Sequence, residues 1–156
     1  MKGLLQSLLI VYACMFCSVA YADSSIYQLK VDKPMTEVYD KVYKSLEDSR
    51  FYVVFEPNIG KNLLSFAERW GDQYNRSQLS AIRSMVFCNA WYANQVSNRD
   101  PGMLALCPLH LTLIEKDGST TALFLRPTAV AENSPAKDIL ADLEFEVIAA
   151  IKKAMN

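Results

Sequence analysis

Histidine occurs once in this 156-residue chain, as His110, and glycine only five times. A single imidazole leaves little from which to assemble a Ser-His-Asp or Cys-His nucleophile system. Neither G-x-G-x-x-G nor G-K-[ST] occurs, so no glycine-rich phosphate cradle is encoded. An excess of either charge is also missing. Sixteen Lys and Arg face seventeen Asp and Glu, a net charge of −1, which excludes a nucleic-acid binder driven by phosphate contacts. Six prolines beside those glycines exclude a collagen-like or low-complexity chain, and 51% hydrophobic residues exclude an intrinsically disordered one. There is no internal repeat or linker, and the length suits one domain.

The long apolar run lies at the start. Lys2 is the only charge before Asp23, an apolar stretch extends from Leu4 to Val19, and Ala20-Tyr21-Ala22 supplies small residues at an A-x-A exit. This is the pattern of a secretory signal peptide over 1–22, followed by a single domain over 23–156. Two rival readings are an uncleaved anchor and a lipoprotein box at Val11-Tyr12-Ala13-Cys14; the apolar core is short for both. Cleavage removes Lys2, Cys14 and Cys17. Fifteen basic and seventeen acidic residues remain, net −2, with Cys88 and Cys107 as the two cysteines. The expected location is periplasmic or secreted, with no stable membrane insertion once the leader is gone. Asn75-Arg76-Ser77 is a glycosylation sequon, meaningful only for a eukaryotic source.

In the remaining chain, Ile26–Val31 alternates as a strand does. Pro34 opens a helix to Asp48, with Met35, Val38, Tyr39, Val42, Tyr43 and Leu46 on one face. Phe51–Phe55 is β-branched and aromatic and predicts a largely buried strand. Asn58 caps a second helix, with Ile59, Leu63, Phe66 and Trp70 on one face and Gly71 as its stop. Asp72–Ser80 predicts a loop, Ser84–Cys88 a strand, and Asn89–Val96 a short helix. Leu109–Glu115 and Thr121–Arg126 form a hairpin around Asp117-Gly118. Ser134-Pro135 begins a last helix, with Leu140, Leu143, Val147, Ile151 and Ala154 as its buried stripe. Phe145 and Leu64 fall outside their stripes, and with charge near zero they favour self-association. The fold class is α+β: an antiparallel or mixed sheet of about five strands with helices on one face.

Cys88 and Cys107 flank two strand ends, and in an oxidising compartment a disulfide is the simplest outcome. Closing a loop of that size would stabilise by about 3 kcal/mol on the chain-entropy model. Their spacing is not the C-x-x-C of thioredoxin-type exchange. An alternative joins Cys88, Cys107 and His110, with Met103, in a soft-metal site of copper type. Strand alternation opposes it, because residues 107 and 110 point to opposite faces unless Pro108 bends the chain. Ser134-Pro135-Ala136-Lys137 matches S-x-x-K, but S-D-N and K-T-G are absent, so Ser134 reads as a helix cap. The acidic pairs Glu144/Glu146 and Asp138/Asp142 sit on the last helix, the latter one solvated turn apart. Two clusters mix aromatic, amide and guanidinium groups in the manner of a recognition surface: Arg69, Trp70, Tyr74 and Arg76, and the turn Asn89, Trp91 and Tyr92.

Val31-Asp32-Lys33 before an amphipathic helix, Phe87-Cys88-Asn89-Ala90, and Pro101 followed by Pro108-Leu109-His110 and the Leu111–Glu115 strand together resemble the family catalogued as domain of unknown function 302. The likeness runs from about Val31 to Val130. Ala90 stands where that family has Pro, Cys107 where Leu is usual, and His110 where a basic residue is common. The Arg69–Gly71 loop lies outside the pattern. The resemblance implies a TATA-binding-protein-like sheet-and-helix layout, often dimeric, and supplies no catalytic residues. The resulting expectation is an exported, non-enzymatic domain without a cofactor. It would bind a small ligand or protein partner through the two polar-aromatic clusters combined, with a homodimer as one form.

Overall fold

The computed structural model describes residues 25–156. The expected leader, its cleavage point, Cys14 and Cys17 lie outside the described residues. Ten helices and strands, joined in places by 3-10 turns, follow in the order β1 (Ile26–Val31), α1 (Met35–Asp48), β2 (Tyr52–Phe55), α2 (Ile59–Leu64), α3 (Ala67–Trp70), β3 (Ala81–Cys88), α4 (Ala90–Arg99), β4 (Leu109–Lys116), β5 (Ser119–Leu125) and α5 (Lys137–Met155). The strands make one antiparallel sheet in the order β1-β5-β4-β3-β2. Among the described residues, no helix is long and apolar enough to cross a membrane.

Alternation along the strands sends Met85, Phe87, Leu111, Leu113, Ala122 and Phe124 to one face, where α1 and α5 cover them. Each of these Met, Phe and Leu side chains contributes about 1.5–3 kcal/mol by leaving water. α1 buries Met35, Val38, Tyr39, Val42 and Leu46, and α5 buries Leu140, Leu143, Val147, Ile151 and Met155, as period-3.6 spacing requires. The buried Ser45 hydroxyl donates to the Ala150 carbonyl at 2.8 Å and ties the two helices together. Asp117 (φ 52°) and Gly118 (φ 73°) turn the β4–β5 hairpin with two left-handed residues. A smaller core of Val96, Ala131, Ala136 and Leu140 extends the fold beyond the sheet end, beside α4.

Four elements depart from the sequence expectation. β2 is an edge strand rather than a buried one. Only Phe51, just before it, is fully enclosed, while Tyr52, Val54 and Phe55 are exposed. Its Val53 N–H is taken by the Glu47 carboxylate of α1 at 2.7 Å. The second helix splits into α2 and α3. The Ser65 hydroxyl bonds back to the Asn62 carbonyl at 2.7 Å at the break, the competition by which Ser weakens helix interiors. α2 approaches the sheet at Gly60, where an added Cβ would lie 3.1 Å from Ile82 N, and neither α2 nor α3 buries a residue. β3 begins earlier, at Ala81, because Ala81 pairs with Glu115 of β4. α5 begins at Lys137, not at Ser134-Pro135. The Ser134 hydroxyl accepts from Ala136 N at 3.1 Å and donates to Asp100 at 2.6 Å, tying the start of α5 to the end of α4.

Candidate functional site

Asn58 caps α2 as its position suggests, accepting from Lys61 N at 2.9 Å. Beyond it the stripe Ile59, Leu63, Phe66, Trp70 faces no core. Phe66 and Trp70 stack on each other at 5.1 Å and both stay exposed. Gly71, at φ 50°, ends α3. Arg69 and Arg76 are exposed on this excursion. Tyr74 turns inward to line a groove of about 280 Å³ with Asn58, Lys61, Ile82 and Arg83. Asn75, also left-handed, closes the loop by accepting from Leu79 N and donating to Leu79 O, both at 2.9 Å.

The second cluster lies at the other end of β3. The seven steps from Ala81 to Cys88 place the two clusters roughly 23 Å apart, so the strand separates them and the expected combined surface does not form. Asn89 is a helix cap whose side-chain oxygen accepts from Trp91 N at 3.0 Å and Tyr92 N at 3.2 Å. Tyr92 lies flat on Phe51, 6.2 Å between centroids and 8° between planes. Burial, then the hydrogen bond and charge of Glu146, push its phenol up to about 12. Trp91 points outward. These residues line a groove of about 360 Å³ with Arg50, Tyr52 and Glu146. Arg50 and Glu146 also border a neighbouring depression of about 330 Å³, which Phe145 and Lys153 flank. Arg50 reaches this position because it ends α1 in a left-handed conformation, φ 63°, with its N–H on the Glu47 carbonyl.

Cys88 closes β3, and Cys107 lies two residues before β4. Their sulfurs stand 3.2 Å apart. Both line a small apolar cavity of about 30 Å³ with Tyr92, Val96, Met103 and Leu106. Burial, then the hydrogen bond to Cys88 and its charge, push the Cys107 thiol up to about 11. His110 does not join them. It faces a different cavity, with Leu106, Phe124, Leu125 and Pro127. Among the described residues, no three His, Cys, Asp or Glu side chains converge on one point. The Cys88, Cys107, His110 ligand set is therefore not assembled, since Cys107 lies before β4 and His110, within it, lines a different cavity. The raised Cys107 value predicts slow alkylation despite exposure, because the thiolate is the nucleophile. Timed iodoacetamide labelling read by mass spectrometry should accelerate about tenfold per pH unit up to roughly pH 11. A rate that levels off below pH 9 would contradict the burial argument.

Sequence reasoning missed three features. Arg50, Tyr52 and Glu146 meet only because α1, β2 and α5 converge there, and no local pattern announces that. Glu144 is buried, accepting from Arg126 Nε at 2.6 Å, Thr128 N at 3.0 Å and the Thr128 hydroxyl at 2.6 Å. Its position next to the Leu143 stripe was a usable signal. Arg83 sits 3.4 Å over the Tyr39 ring, and the Tyr39 hydroxyl donates to Glu56 at 2.6 Å. Burial and that carboxylate push the Tyr39 phenol well above its ordinary range. A lone Arg on the inward face of a β-strand could have suggested such a partner.

A search of curated proteins finds no match. A crystal structure of an uncharacterised conserved DUF302 protein from Bacillus stearothermophilus matches with a TM-score of 0.71 and 23% identity, over 83% of this chain and 97% of that one. At that identity the likeness establishes the α+β fold. The family model of the domain of unknown function DUF302 matches residues 27–156, and the chain accordingly belongs to that family.

Proposed function

We propose that this protein is an exported, non-enzymatic binding domain that receives a protein or peptide partner in the groove of Arg50, Tyr52, Trp91, Tyr92 and Glu146. One observation carries the reading. Trp91 is 67% exposed and Phe145 74%, and they flank two depressions that share Arg50 and Glu146. Aromatics and Arg are the side chains that dominate binding energy at protein interfaces, and clustered exposed apolar surface marks interaction sites. The groove has the volume of a ligand site. The Arg69–Arg76 loop is not part of this surface.

Random dodecapeptides displayed on phage and selected against the full chain provide a test. Selected peptides should lose at least about tenfold in affinity, or about 1.4 kcal/mol, against Trp91→Ala. They should bind Trp70→Ala as they bind the unaltered protein. Undiminished binding to Trp91→Ala, or an equal loss in Trp70→Ala, would overturn the assignment.

A further inference from the structure

Tyr92 and Asn89 separate this groove from the thiol cavity, whose chemistry is different. The geometry points to a site for one soft monovalent cation of the Cu(I) class at the mouth of that cavity, held by Cys88 Sγ and Cys107 Sγ with the Met103 thioether as a third donor.

Donor chemistry excludes the other occupants. The cavity is lined by two thiols, a thioether and mostly apolar side chains, with the Asn89 amide and the Tyr92 phenol as further polar groups. Calcium and magnesium need several oxygen ligands, and structural zinc takes four Cys, His or carboxylate donors. A set of sulfurs alone selects Cu(I). Volume agrees, since about 30 Å³ admits an atom or a water but not an organic ligand of ordinary size.

Thiolates around a metal at bond lengths of about 2.3 Å stand roughly 4 Å apart. The sulfurs at 3.2 Å therefore need only a small opening. Cys107 can supply it, because it is exposed and lies between a 3-10 turn and β4 rather than within either. Binding is a proton exchange with no change of oxidation state: two S–H bonds break, two Cu–S bonds form, and two protons leave to solvent. The bis-thiolate then carries one net negative charge at the solvent-facing rim. The site is independent of the peptide groove.

The test uses the full chain, reduced and then freed of reductant without oxygen. Cu(I), added as its acetonitrile complex, is titrated against bathocuproine disulfonate and followed by native mass spectrometry. One Cu(I) per chain with two protons displaced is expected. Retention against the chelator should be lost in Cys88→Ser and in Cys107→Ser. Met103→Leu, which keeps the volume and the fold, should surrender the ion at lower chelator concentration, and His110→Ala should behave as the unaltered chain. Retention in Cys107→Ser, or no effect of Met103→Leu, would overturn the site.

Discussion

Phe51→Ala should lower the stability of the domain by about 3–5 kcal/mol, the range for emptying a buried aromatic site. Phe51 is completely enclosed. Its ring meets Phe87 edge-on at 6.0 Å and 86°, and Tyr92 lies parallel to it at 6.2 Å. The loss would be a large part of the 5–15 kcal/mol that holds such domains folded. Urea unfolding should show a lower midpoint with unchanged slope. Phe55→Ala, four residues away and largely exposed, should shift stability by no more than about 0.5 kcal/mol. The effect reaches the groove as well. With its platform gone, Tyr92 no longer fixes the first turn of α4, so amide exchange at 91–93 should speed up more than exchange across β4. Equal acceleration in both places would mean that Phe51 acts on global stability alone.

Glu144→Ala should cost about 3–5 kcal/mol, as removal of one partner from a buried charged pair does. Its carboxylate accepts three hydrogen bonds, one from the Thr128 backbone N–H, and so fastens the chain after β5 to α5. Alanine leaves that N–H and the Thr128 hydroxyl without an acceptor, at about 1–3 kcal/mol for each group that water cannot reach. Glu144→Gln keeps the volume but turns an NH2 toward donors, so it should recover part of the loss. Thermal unfolding of the three proteins measures this order. A Gln variant as weak as Ala would locate the effect in charge, and an Ala variant of normal stability would show that the Arg126–Thr128 segment holds itself.

Much of the frame is legible in local pattern. Period-3.6 stripes announce α1 and α5, and Asp117-Gly118 between alternating runs announces the β4–β5 hairpin, because these signals act over a few residues. The opposition of Cys88 and Cys107 follows from their places at strand ends. What the pattern hides is topology. Phe51–Phe55 is apolar enough for a central strand, yet the sheet order places it outermost, and nothing within those five residues encodes that order. The helix at 58–70 has a regular stripe, yet neither of its halves buries a residue. Within the site, Trp91 and Tyr92 stand out by residue type. Arg50, Tyr52 and Glu146 do not, since each becomes a neighbour only when separate elements converge.

The bond from Val53 N–H to Glu47 decides how the molecule can meet another protein. A strand arriving beside β2 would have to evict that carboxylate before it could pair there, although Val54 and Phe55 lie bare. Association along this border is thereby diverted from main chain to side chains, where specificity resides.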